Sequence, residues 1–136
     1  MTQRTKFKII VYLILFAIAC TLVFWWSAYN DAKARDYERL GDLKTIQGEL
    51  SRYFLKYNTY VVSGCQGGAL INSCAGDLDR PAYLGKLIDP LSLNGFSYVV
   101  NDLSDSDYQI SFGLETSIGG LKPGNHILSK NGVVKP

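Results

Sequence analysis

The chain has 136 residues and a formal net charge of +2, with 19% charged and 12% aromatic residues. This length predicts a single small domain, because an apolar N-terminal stretch leaves only about a hundred residues to fold in water. The nearly balanced charge excludes the basic face that binding to nucleic-acid phosphates requires, so we predict no nucleic-acid partner.

An uncharged, mostly apolar run extends from Ile9 to Trp26. With the residues that follow to Tyr29, it reaches the length of about 20 residues that crosses the hydrocarbon core of a bilayer. Trp25, Trp26 and Tyr29 stand at its C-terminal end, where aromatic side chains favour the membrane interface. The sequence therefore predicts a transmembrane helix at residues 9–29.

The charges that flank this run predict its orientation. Three basic residues precede it, whereas charges of both signs follow it, and this asymmetry favours a cytoplasmic N-terminus in the inner or cytoplasmic membrane. We therefore expect a basic cytoplasmic segment at residues 1–8 and an extracytoplasmic domain at residues 30–136. The basic residues are Arg4, Lys6 and Lys8.

Two other interpretations of the same run stay open. A cleaved signal peptide would end near the small residues Ser27 and Ala28, although the two preceding tryptophans fit such a cleavage site badly. A lipoprotein signal would make Cys20 the acylated residue, although the sequence after it stays apolar instead of forming a polar tether. Without lipidation, Cys20 is a small apolar residue in a membrane helix.

Residues 31–58 show the periodicity of an amphipathic helix. Apolar side chains recur at steps of three and four residues and are expected to face a core: Tyr37, Leu40, Leu43, Ile46, Leu50, Tyr53, Phe54 and Tyr57. The opposite face is expected to contact water, and it carries Asp36, Arg39, Asp42, Lys44, Gln47, Glu49 and Arg52. No proline precedes Tyr60, so this helix is expected to continue the transmembrane helix as one rod of roughly 70 Å.

Residues 61–80 form a predicted loop rich in Gly and Ser that contains Cys65 and Cys74. In an oxidising compartment these two cysteines are expected to form a disulfide, and closing so short a loop contributes about 2 to 3 kcal/mol. A short segment from Arg80 to Ile88 has helical character and ends at Asp89-Pro90.

Residues 96–134 predict a small antiparallel sheet. Phe96 to Asn101 and Tyr108 to Glu115 alternate as two strands joined by a turn, and 126–129 with 133–134 form a hairpin around Asn131-Gly132. Three or four strands result, and the apolar stripe of the helix covers one face of them. The predicted fold class is therefore α+β, with one long helix packed on this sheet.

This arrangement resembles the type IV pilins and type II secretion pseudopilins. The segment Ala34 to Leu50 (ARDYERLGDLKTIQGEL) is similar to the helix of major-pseudopilin-like proteins, and Lys86 to Leu91 (KLIDPL) is similar to their Asp-Pro segment. Residues 108–115, 121–126 and 131–132 resemble their closing strands in order and spacing. The family's leader ends in Gly before a Phe-Thr-Leu-Ile-Glu sequence, whereas here Lys6 precedes Phe7 and no Glu occurs among the first 30 residues.

The resemblance implies a non-enzymatic membrane subunit of a pilus or secretion-type filament, processed between Lys6 and Phe7 and assembled with like or unlike subunits through the N-terminal helix. The alternative is a stand-alone, single-pass binding domain that uses the loop between Cys65 and Cys74 and does not polymerise. We predict neither a small-molecule substrate nor an enzymatic site. His126 is the single histidine, and no motif for a nucleophile accompanies it.

An acidic cluster in the predicted turn between the first two strands suggests one candidate cofactor, Ca²⁺. Asp102, Asp105 and Asp107 supply the carboxylate oxygens that this ion prefers. The cluster lacks the Gly and the final Glu of an EF-hand loop, and Asp is also an ordinary turn residue. A solvated turn is therefore the other interpretation, and no other cofactor is predicted.

Overall fold

The computed structural model describes residues 3–74, 84–92 and 96–134 of the chain. One helix, α1, runs without a break over Gln3–Tyr57. It ends where Asn58 adopts a left-handed backbone with a φ of 55°, a conformation that Asn tolerates better than most residues and that terminates helices. The transmembrane and amphipathic segments predicted from the sequence are thus two parts of one helix.

Four strands follow: β1 (Val99–Leu103), β2 (Tyr108–Leu114), β3 (Gly124–Ser129) and β4 (Gly132–Val134). They form one antiparallel sheet in the order of the sequence, with Leu103 opposite Tyr108 and Ser129 opposite Gly132. Gly132, with a φ of 107°, supplies the left-handed backbone of the last tight turn. The predicted α+β class, one long helix on a small antiparallel sheet, is confirmed.

The core lies between the sheet and the C-terminal part of α1. Alternate side chains of β2 are buried, as the two-residue period of a strand requires, and they share one apolar cluster with buried positions of the helix. The helix contributes Leu43, Ile46 and Leu50, and the strand contributes Tyr108, Ile110, Phe112 and Leu114. At roughly 2 kcal/mol for each fully buried large side chain, this cluster is the main source of stability.

The buried face of α1 differs from the predicted one at the N-terminal end of the part that packs on the sheet. Tyr37 was expected in the core but is 59% exposed, whereas Asp36 and Arg39 were expected in water but are completely buried. The reason is helical phase, because Asp36, Arg39, Leu43 and Ile46 follow one another at steps of three and four residues. The two charged side chains belong to the core-facing stripe and find charged partners there.

The loop that contains Cys65 and Cys74 lies along the free edge of β1. The N–H of Gly68 donates to the carbonyl of Val100 at 2.7 Å, and the N–H of Val100 donates to the carbonyl of Ala69 at 2.8 Å. These bonds satisfy backbone groups that an edge strand otherwise leaves open to another chain. The loop thus protects this edge of the sheet.

Several predicted boundaries differ from the structure. The first strand begins at Val99 instead of Phe96 and extends to Leu103, so Asp102 lies in a strand and not in the turn. A bulge between Val100 and Asp102 shifts the register at that point. Of the segment predicted to be helical, residues 84–86 form one 3₁₀ turn, while residues 80–83 and the end of the loop at 75–80 lie outside the described residues.

Candidate functional site

The N-terminal half of α1 projects away from the sheet. Every described side chain from Ile9 to Trp26 is exposed, and none contacts the folded domain closely enough to be buried. By length and composition this is a helix that can cross a membrane, and its most apolar window has a mean hydropathy of 2.6 with no part buried. Such a surface requires lipid or another apolar surface around it.

The three aromatic side chains at the C-terminal end of the apolar run are exposed. Trp25 and Trp26 are 78% and 71% exposed, and Tyr29 is about half exposed. Rings that are apolar in body and polar at the edge favour the headgroup region of a bilayer. Trp26 lies about 15 Å from Asp36 along the helix.

A cluster of buried charges joins α1 to the sheet just above that level. Arg39 donates from Nε and Nη2 to the carboxylate of Asp89, at 2.7 and 2.9 Å. Its Nη1 donates to Asp36 and to Glu115, both at 2.7 Å. Arg35 donates to both oxygens of Glu115, at 2.9 and 2.6 Å. Five side chains from three segments of the chain thus form one connected network.

Asp36 also fixes the backbone at the end of β2. It accepts hydrogen bonds from the N–H groups of Glu115 and Thr116, at 3.0 and 2.7 Å, and from the hydroxyl of Thr116 at 2.7 Å. Hydrogen bonds to a carboxylate are about twice as strong as bonds between neutral groups. The side chain therefore acts as a clamp between the helix and the strand that lies on it.

The electrostatics of the cluster follow from this pairing. Burial alone raises the pKa of Asp36, but the donors from Glu115, Thr116 and Arg39 outweigh it and hold the pKa below its ordinary value. Hydrogen bonds from Arg35, opposed by burial and assisted by Arg39, likewise lower the pKa of Glu115. Burial disfavours the Arg39 cation, yet its three carboxylate partners raise its pKa on balance. Asp36, Glu115 and Arg39 therefore stay ionised at neutral pH.

An aromatic ring closes one side of the cluster. The guanidinium of Arg39 lies over the ring of Phe96, 4.5 Å from its centroid. A Cβ atom at Gly113 would come within 2.8 Å of Cδ1 of this ring, which is closer than such atoms pack. Gly113 thus leaves the room that Phe96 needs to cover the cation.

A second polar contact joins the same two elements one helical turn further along. The hydroxyl of Tyr98 donates to Asp42 at 2.7 Å, and the ring is buried. Burial raises the pKa of Asp42 and the Tyr98 bond partly offsets this rise, while burial also raises the pKa of Tyr98. Tyr108 is buried nearby in the core, and the loss of hydration raises its pKa to about 12.

The three predicted calcium ligands do not converge. Asp102 is exposed on β1, Asp105 accepts a bond from the hydroxyl of Thr59, and Asp107 accepts bonds from the N–H groups of Tyr108 and Lys130. Within residues 3–74, 84–92 and 96–134, no group of three His, Cys, Asp or Glu side chains is placed to hold a metal ion.

The structure also places the predicted disulfide cysteines, the predicted processing residues and the single histidine. Cys65 and Cys74 form the expected disulfide, and both are buried in the core. Phe7 is exposed on α1, and the backbone of Lys6 belongs to the same helix. The Nε2–H of the buried His126 donates to the carbonyl of Lys122 at 2.7 Å, so this imidazole holds its own turn in place.

Sequence reasoning missed the buried cluster, although a signal for it was present. Asp36 and Arg39 share the helical phase of Leu43 and Ile46, and charged residues in an apolar phase must find buried partners. The sequence does not identify those partners, because Asp89 and Glu115 lie 50 and 76 positions from Arg39.

No protein-family model matches this chain, no curated protein matches it, and no solved structure matches it.

Proposed function

We propose that this chain is a non-enzymatic, pilin-like membrane subunit of a type IV pilus or a type II secretion-type filament system. The observation that carries the proposal is the shape of α1, whose C-terminal half holds a small domain on one face while its N-terminal half is apolar and exposed all round. Such a helix associates with lipid first and then with other helices, through van der Waals packing instead of a chemical site. The resemblance of residues 34–50 and 86–91 to the pseudopilins supports this assignment.

In the proposed arrangement the N-terminus lies in the cytoplasm and the domain lies outside the cytoplasmic membrane. The basic residues before the apolar run support this orientation. The disulfide between Cys65 and Cys74 supports it independently, because such bonds persist in oxidising compartments. The buried cluster around Arg39 then holds the domain at a set height above the membrane.

The intact mass of the mature protein tests this function. Pilin-type processing removes the residues up to Lys6 and leaves an N-methylated Phe7, which a mass measurement resolves unambiguously. Filaments visible by electron microscopy after shearing of cells give a second readout. An N-terminus that keeps Met1, together with the absence of filaments, would contradict the polymerising function.

A second candidate is a stand-alone membrane-anchored binding domain, and one observation favours it. Leu70 and Ile88 are 47% and 59% exposed beside the disulfide loop, and they line a shallow groove together with Leu87 and Ser97. Exposed apolar side chains in a group mark contact surfaces. If the protein keeps Met1 and no filament forms, loss of ligand capture in Leu70→Asp and Ile88→Asp variants would support this candidate.

A further inference from the structure

A cavity of about 300 Å³ opens on the face of the sheet that points away from α1. The strand residues that line it alternate with Val100 and Phe112, which belong to the core on the other face. Its volume is at the lower end of the range for small-molecule sites. We name it the outer cavity, and its described lining includes Phe96, Ser97, Val99, Ser111, Gly113 and Asn125.

The polar side chains of the outer cavity have unused hydrogen-bonding capacity. The Oγ atom of Ser111 accepts a hydrogen bond from Nδ2 of Asn101 at 2.6 Å, so the hydroxyl proton of Ser111 is left to donate. Within the described part of the chain, no group bonds the hydroxyl of Ser97 or the side-chain amide of Asn125. Two hydroxyls and one amide therefore offer donors and acceptors to a molecule in the cavity.

The walls of the outer cavity are fixed by contacts outside it. The ring of Phe96 lies 4.5 Å from the guanidinium of Arg39, which four hydrogen bonds to carboxylates hold in place. A Cβ atom at Gly113 would lie 2.8 Å from Cδ1 of Phe96 and 3.7 Å from Oδ1 of Asn125. The ring and the amide thus flank a stretch of bare backbone. A site on rigid elements whose side chains are held by such neighbours is preorganised for a ligand.

The chemistry of the lining excludes three classes of ligand. None of the described lining side chains is charged, so an ionic ligand would find no opposite charge. A purely aliphatic ligand would leave the hydroxyls and the amide without the hydrogen bonds that water gives them. A peptide that adds a strand to β1 is excluded because residues 68–71 already occupy that edge, where the N–H of Ile71 donates to the carbonyl of Tyr98 at 2.8 Å.

We propose that the outer cavity binds one ring of an uncharged sugar. A hexopyranose carries hydroxyls around its rim, which exchange hydrogen bonds with Ser97, Ser111 and Asn125. The C–H bonds on the faces of the sugar pack against the half-buried ring of Phe96. A ligand of this size is expected to bind with a Kd of about 1 mM or weaker. This binding site goes beyond the function proposed above and requires neither membrane anchorage nor filament formation.

Saturation-transfer NMR on the full-length protein tests the binding. Phosphatidylcholine nanodiscs hold the protein, because maltoside detergents are themselves sugars. The probes are the methyl glycosides of glucose, galactose, mannose and N-acetylglucosamine, together with the four free sugars. We expect at least one of these sugars to receive saturation from the protein, most strongly at its ring C–H protons. Tighter binding of the methyl glycoside than of the free sugar identifies a unit within a glycan as the ligand, and the reverse order identifies a free monosaccharide.

Matched variants locate the binding in the outer cavity. Asn125→Leu keeps the size of the side chain and removes its hydrogen bonds, and Ser111→Ala removes one hydroxyl. We expect each variant to raise the Kd at least about threefold, and the two together about tenfold. Gln109→Leu is the control, because Gln109 is exposed on the same face of β2 but does not line the cavity. Denaturation midpoints show that each variant stays folded.

Four results would overturn the proposal. The first is no saturation transfer to any of these sugars at about ten times the expected Kd. The second is an equal loss of binding in Gln109→Leu and Asn125→Leu. The third and fourth are equal binding of the charged sugar glucuronate, or of N-acetylalanine methylamide, an uncharged molecule of similar size that is not a sugar. Processing at Phe7 is a separate measurement, so the proposed function can fail while sugar binding holds, and the reverse.

Discussion

Arg39 and Asp89 form a fork-to-fork ion pair in which both side chains are closed to water. Two hydrogen bonds of 2.7 and 2.9 Å join them, and the side chains are 0% and 1% exposed. The pair connects α1 to a segment 50 residues later, immediately before Pro90. The pair holds the segment Asp89-Pro90 against α1 at Arg39.

Removal of one partner from this pair should be costly. Asp89→Ala leaves the buried Arg39 cation with two carboxylates in place of three, and we expect the free energy of unfolding to fall by about 3 kcal/mol. Thermal unfolding of the full-length protein in detergent, followed by near-ultraviolet circular dichroism, measures the change. Arg52→Ala is the control, because the Arg52 side chain is 75% exposed and its pair with Glu49 should contribute about 0.5 kcal/mol or less. Equal effects of the two variants would contradict the importance of burial.

The buried carboxylates should make stability fall in acid. The folded pKa values of Asp36 and Glu115 lie below their ordinary values of 3.8 and 4.5, so the unfolded chain binds protons first as the pH drops. Their contribution is complete above these ordinary values and is lost as the pH falls through the lower folded ones. Denaturation midpoints between pH 7 and pH 3 measure this loss. Asp36→Asn should flatten the profile, and an unchanged slope would speak against the assignment.

The absence of a side chain at Gly113 should be needed for the ring of Phe96 to lie over the guanidinium of Arg39. Gly113→Ala pushes the ring of Phe96 off the cation, so we expect a destabilisation of about 1 to 3 kcal/mol, as overpacking of a well-filled site gives. Gly48→Ala is the matched control, since its Cβ meets nothing and helix propensity predicts a gain of up to about 1 kcal/mol. Opposite signs of the two changes in unfolding free energy are the expected result. A neutral Gly113→Ala variant would show that Phe96 is free to move.

Loss of one hydroxyl should weaken the second contact between helix and sheet. Tyr98→Phe leaves the half-buried carboxylate of Asp42 without this donor, and we expect a loss of about 1.5 to 3 kcal/mol, typical of a bond to a charged group. Tyr53→Phe removes an exposed hydroxyl bond to the carbonyl of Val61 and should have a much smaller effect. The two variants are compared by their denaturation midpoints at neutral pH.

The disulfide should stabilise the loop on the edge of β1. Replacement of Cys65 and Cys74 by serine together should lower the free energy of unfolding by about 2 to 3 kcal/mol, because the unfolded chain regains the freedom of a short closed loop. Hydrogen exchange at the amides of Gly68 and Val100 should accelerate in parallel. An unaltered exchange rate would indicate that the backbone bonds alone hold the loop in place.

The sequence by itself determined the features that depend on local order. A charge-free run of sufficient length predicts a membrane helix wherever it occurs, and alternating or three-to-four spacing predicts strands and an amphipathic helix. The disulfide between Cys65 and Cys74 and the turn at Asn131-Gly132 were also predictable, because in each case the residues involved lie close together in the sequence. These signals arise within a few residues of one another, so no knowledge of distant segments is needed to interpret them.

Only the tertiary structure decided which charged residues are core. The helical phase of Asp36 and Arg39 places them on the core-facing stripe, but they can be buried only because the carboxylates of Asp89 and Glu115, distant in sequence, join Asp36 around the Arg39 cation. The exclusion of Tyr37 from the core and the fit of Phe96 over Gly113 depend on the same assembly. A buried charge is tolerated only if oppositely charged or hydrogen-bonding groups lie next to it, and folding of the whole chain is what brings those groups together.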